Sequence, residues 1–207
     1  MTKFQRQRRS LLTTIVILSL VLTTLCCVAQ AKYLKMAELA EQMVTITVRL
    51  GTIALEEHEA VRQTDGSYLL LDGQGGRENK IVTSNTYILM PGVDVPKDPY
   101  VVISDKSPIE AYVYLEVDSD LPSTVTYLLE NHWKALAGLP GVYVYAPGGT
   151  PQTVTGNMDA ISILQGNTVT VSQNYSGSDP VSLTFYAYLY QAFAGNTPEE
   201  VYQHNNP

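Results

Sequence analysis

The sequence predicts an all-β protein: two antiparallel sheets packed as a β-sandwich, with a few short helices. Three observations predict it. Residues 109–117 and 181–190 each alternate between an aliphatic and a polar or aromatic side chain, the period of a strand with one buried face. Glycine and proline punctuate the chain at short intervals, as at Pro91-Gly92, Pro147-Gly148-Gly149 and Ser176-Gly177. Helical spacing is rare and short-lived.

The first 31 residues stand apart. Lys3, Arg6, Arg8 and Arg9 precede a run from Leu11 to Ala29 that is apolar or Thr/Ser throughout, and Ala29 and Ala31 put small residues where a signal peptidase cuts. Residues 1–31 are therefore expected to be a signal peptide, cleaved after Ala31, on a secreted or cell-surface protein. The alternative is a retained membrane anchor through residues 11–29, because the run approaches the ~20 residues that span a bilayer. Cleavage removes four of 13 basic residues and none of the 20 acidic ones, leaving nine against 20 and a net charge of −11. That excess argues against nucleic acid or an anionic membrane surface as a partner. Cys26 and Cys27 both lie in the apolar run, so the mature chain has no disulfide and relies on its core.

Lys32 to Met43 reads as helix, with Leu34, Ala37, Leu39 and Met43 among strong helix formers. It is set apart as an N-terminal linking segment, and residues 44–207 as a single β-sandwich domain. From Val44 the period drops to two: Val44, Ile46, Val48 and Leu50 share one face of a strand. Further strands are predicted at Tyr68–Leu71, Ile81–Met90, Tyr100–Ile103, Val142–Tyr145 and Thr168–Gln173. Pro91, Pro96 and Pro99 confine residues 91–99 to a sheet edge or surface crossing, since proline offers no ladder donor. Between them, residues 109–117 and 181–190 set Val113, Leu115, Leu183 and Phe185 on aliphatic faces, opposite Tyr112, Tyr114, Tyr186, Tyr188 and Tyr190. Asn157–Leu164 is read as a short helix. Thr197, Pro198, Glu199 and Glu200 supply a cap, a first-turn proline and two acids, which open a terminal helix.

Chemical motifs are sparse. No His-Glu-x-x-His, no Gly-x-Ser-x-Gly and no mature cysteine exist, so the common zinc-protease helix, serine elbow and cysteine nucleophile are absent. Glu57, His58 and Glu59 are weak candidates for a metal site, set against a charged loop at a strand end, because neighbours on a strand point to opposite faces. Asp118 and Asp120 read as solvated loop acids rather than a calcium site. No cofactor is expected. Fourteen tyrosines against three phenylalanines mark the two tyrosine faces as a candidate assembly surface.

The order of motifs carries a resemblance. Thr47-Val-Arg-Leu-Gly-Thr-Ile-Ala-Leu-Glu-Glu57 follows the signal segment; then come Pro91-Gly92, Lys97-Asp-Pro-Tyr-Val101, Ala111-Tyr-Val-Tyr-Leu-Glu-Val117, a lone Trp133, Leu183-Thr-Phe-Tyr-Ala-Tyr-Leu-Tyr-Gln191 and Thr197-Pro-Glu-Glu-Val201. This series resembles the TasA/camelysin family of Gram-positive bacteria, exported through a SipW-type signal peptidase. The resemblance implies a jelly-roll-like sandwich that polymerises at the cell surface into biofilm matrix fibres. An N-terminal segment of one subunit would complete the sheet of the next, with copies of itself and other matrix proteins as partners. The chain departs from the family's aromatic mature opening at Lys32–Met43. A secreted, non-enzymatic fibre subunit is therefore the expected function. The alternatives are a membrane-anchored surface module that binds sugar or protein through its tyrosines, and a camelysin-type secreted metalloprotease.

Overall fold

The computed structural model describes residues 50–206, except Ser107 and Ser178. The expectations for the signal peptide, the linking segment and residues 44–49 lie outside the described residues.

The fold is all-β, built from antiparallel strands with one short α-helix among the described residues. Strand β1 (Thr52–His58) pairs with β6 (Tyr100–Ser104) and, at its end, with β4 (Ile81–Val82), while β12 (Met158–Ser162) takes the other edge of β6. This gives a four-stranded sheet in the order β12-β6-β1-β4. The second sheet centres on β7 (Ala111–Ser119). On one edge β7 pairs along its whole length with β14 (Leu183–Gln191). On the other it pairs with β10 (Val142–Tyr145) and β11 (Thr153–Val154), and β9 (Trp133–Ala135) follows β10. A hairpin of β2 (Ala60–Arg62) and β3 (Tyr68–Leu70), and a sheet in which β13 (Thr168–Val171) lies between β5 (Val95–Pro96) and β8 (Val125–Thr126), complete the strands.

The main core lies between the two larger sheets. Val101 and Ile103 of β6 and Ile161 of β12 meet Val113 and Leu115 of β7, all essentially closed to solvent. Each buried aliphatic side chain here is worth about 1.5–3 kcal/mol relative to exposure. Trp133 ties the sheets together, since its indole N–H donates to the Ser162 carbonyl at 2.9 Å. The proline ribbon lies where its missing donors predict. Val95–Pro96 is an edge strand opposite Val169 and Thr168, and the Tyr87 hydroxyl donates to the Pro96 carbonyl.

Three expectations are corrected. Asn157–Leu164 is no helix: Met158–Ser162 is strand β12, bulged between Met158 and Ile161, with Ala160 at φ 44°. Apolar residues at 158, 161, 163 and 164 fit either period, and the open edge of β6 decides between them by burying Ile161, Ile163 and Leu164. Ile81–Met90 is strand only at Ile81–Val82. Beyond that, side chains replace the ladder: Asn85 accepts from the Ala60 N–H and donates to the His58 carbonyl, and the Tyr68 hydroxyl accepts from the Ile88 N–H. Glu56–His58 is no loop end but the last part of β1.

The helix α1 (Pro198–Asn205) begins with the expected capping box. The Thr197 hydroxyl accepts from the Glu200 N–H, and the Glu200 carboxylate accepts from the Thr197 N–H. It lies over the other face of the second sheet and makes a smaller core from Tyr114, Leu136, Val142, Val144, Val201 and Tyr202.

Candidate functional site

The tyrosine face is where the structure departs most from expectation. Tyr114 is completely buried, beneath α1, and its hydroxyl donates to the Pro198 carbonyl at 2.8 Å. Tyr188 and Tyr202 both donate to Glu116 Oε2, at 3.1 and 3.0 Å, and Tyr190 pairs with Asn206. Burial, reinforced by the bond to Glu116, pushes the Tyr188 phenol up to about 12. The ring of Tyr188 stacks on Tyr190, and Tyr114 lies against Tyr190 and Tyr202. These tyrosines are thus the bed of the C-terminal helix. Of the proposed assembly residues, Tyr114 is withdrawn by burial, Tyr112, Tyr188 and Tyr190 are half-buried, and only Tyr186 is well exposed.

The chemistry of β1 divides by face. Glu57 points inward and is 3% exposed; one carboxylate oxygen meets the Lys97 ammonium at 2.7 Å. His58 points outward, where its Nδ1 lies 2.6 Å from Asp98 and its N–H donates to the same carboxylate. Glu59 turns to Lys80. The three metal candidates therefore face three different partners, and no metal-binding group of acids, histidines or cysteines forms among the described residues. Sequence reasoning missed Lys97 and Asp98. Their signal was adjacency: Lys97-Asp98 beside β6 answers Glu57-His58 on β1, an ammonium meeting the carboxylate on one face and a carboxylate meeting the imidazole on the other.

The inner pair opens into a cavity of about 710 Å³ at the seam between β1 and β14. Leu55 and Glu57 form one wall, Leu183 and Phe185 another, and Tyr87 and Leu89 close one side. Burial, with the charges of Glu57 and Asp98 nearby, holds the Tyr87 phenol well above its ordinary range. The core-facing row of β14, Leu183, Phe185, Ala187 and Leu189, packs against the main core yet stays partly exposed. Among the described residues β14 pairs only with β7, so its second edge carries no ladder. The arrangement suits the uptake of an apolar, extended segment.

A second cleft, about 400 Å³, lies on the outer side of the same sheet around His58, Asp98, Tyr100 and Asp159. Burial first, then the Glu56 carboxylate, raises the Tyr100 phenol to about 12. No described helix is long and apolar enough to cross a membrane. No family model, curated protein or solved structure matches the chain.

Proposed function

We propose that the protein is a secreted structural subunit of an extracellular fibre or matrix. In it, the segment before the first strand of one copy adds to the open seam of the next. The observation that supports this reading best is β14, whose core-facing row is partly exposed and whose second edge has no partner among the described residues. A strand added there gains main-chain hydrogen bonds along its length while alternate side chains enter the groove. An unpaired edge with a half-open apolar row is otherwise a liability that proteins cover. Residues 32–43 suit the linking role, because a lone helix of that length is marginal in water and readily extended. The resemblance to TasA/camelysin proteins supports the same reading, with jelly-roll connectivity and export with cleavage after Ala31.

Both rivals are weaker. A surface module binding through its tyrosines loses much of that surface to α1, and a metalloprotease lacks convergence of Glu57, His58 and Glu59.

Electron microscopy and sedimentation of the chain beginning at Lys32, beside one beginning at Val44, test the proposal. Filaments are expected from the first and a folded, soluble monomer from the second. Normal filaments from the shorter chain would rule out residues 32–43 as the link. No filaments from the longer chain would overturn the fibre reading itself.

A further inference from the structure

One oxygen of Glu57, Oε1, is buried and has no hydrogen-bond partner, although its twin is paired with Lys97. Glu57 lines the seam cavity. A buried, unpartnered carboxylate oxygen costs more than an unmade neutral bond, and such groups in folded proteins are nearly always satisfied by something. The neighbouring hydroxyl is already committed, since Tyr87 donates to the Pro96 carbonyl.

The surroundings limit what can supply the donor. The walls given by Leu55, Leu89, Leu183 and Phe185 favour an apolar body. Lys97 already balances the charge of Glu57, so a cation would meet the ammonium, and an anion would meet the carboxylate. A pure hydrocarbon would leave Oε1 unpaired. One water would satisfy the oxygen but occupy only a small part of about 710 Å³.

We infer that the seam cavity is a binding site for a neutral apolar group carrying one hydrogen-bond donor, a hydroxyl or an amide N–H, received by Glu57 Oε1. This deepens the reading of the seam given above and rests on it for the carrier: the side chain that an incoming segment sets opposite Glu57 belongs to this class. The binding itself needs no assembly.

The test is a titration of the mature chain, kept dilute, with p-cresol and with toluene, followed by amide chemical shifts. The two probes share a shape and differ by one hydroxyl. An apolar cavity alone prefers toluene, the more hydrophobic probe. The expected result is p-cresol binding at least tenfold more tightly, with the largest shifts at Leu55, Glu57 and Leu183. The paired variant Glu57→Met with Lys97→Met removes the acceptor without stranding an ammonium, and should reverse the order. Toluene binding to the wild type as tightly as p-cresol, 4-methylbenzylamine binding better than either, or no binding of any probe would each overturn the inference. Filaments do not enter this measurement. A p-cresol preference without filaments would sink the fibre reading alone, and filaments without the preference would sink this one alone.

Discussion

Tyr202 donates its hydroxyl to Glu116 at 3.0 Å, across 86 positions of sequence. The bond fastens the last helix to the central strand of the larger sheet, and Tyr188 shares the same acceptor oxygen. Tyr202 is nearly closed to solvent, so its loss is not made good by water. Tyr202→Phe deletes only the hydroxyl. It should cost about 2 kcal/mol, as for hydrogen bonds to charged groups, and lower the melting temperature by about 4–8 °C. An unchanged thermal transition would show that the clamp carries no energy.

Three neighbours on β7 separate facing from burial. Val113→Asp strands a charge in the main core and should unfold the domain, since several kcal/mol is a large share of a total of about 5–15. Tyr112→Ser, on the opposite and half-buried face, should leave it folded. Tyr114→Ser shares the face of Tyr112 but empties the core under α1, and should cost about 3–5 kcal/mol. Circular dichroism melts of the three decide it; similar losses for Tyr112→Ser and Tyr114→Ser would contradict the second core.

Alkali should attack both sheets. Burial raises the phenols of Tyr188 and Tyr100 to about 12, and those of Tyr114, Tyr202 and Tyr87 are raised as well. The folded state holds these protons more tightly than the unfolded chain, whose phenols titrate near 10. Stability is therefore complete below about pH 10 and declines as pH climbs toward about 12. Phenolate absorbance should rise in two steps, the second coinciding with loss of β-sheet ellipticity. All 14 tyrosines titrating together with the sheets intact would disprove it.

Two glycines make a matched pair. Gly141 sits at φ 79°, and a Cβ there would lie 3.0 Å from the Val117 carbonyl oxygen; Gly148 has φ 74° with open space around it. Gly148→Ala should cost only backbone strain, about 1–2 kcal/mol. Gly141→Ala adds a clash with backbone and should cost clearly more. Equal denaturation midpoints would mean that the turn into β10 yields without penalty.

The strands were legible where period and burial agree. Residues 111–117 and 183–190 alternate so strictly that their faces follow from spacing alone, and the structure pairs them from Ala111 to Gln191. Alternation names two faces without saying what covers them. Tyr114 looks like surface until α1, far along the chain, is laid over it. Asn157–Leu164 was ambiguous for the opposite reason, because its apolar spacing fits a helix until the edge of β6 claims it. On β1, Glu57 and His58 stood out as adjacent polar residues, but their partners come from a ribbon of prolines that local pattern describes only as an edge.

The Glu116 clamp also sets an order of events during synthesis. The central strand β7 is made well before its full-length neighbour; Glu116 meets Tyr188 72 positions on and Tyr202 86 positions on. A nascent chain whose residues 183–205 have not yet emerged has neither partner, and β7 keeps a bare edge. Such distant pairings close slowly, because the loop entropy is spent before any contact repays it. Residues 183–205 thus act as a latch, and the larger sheet stays pliable until they have been made.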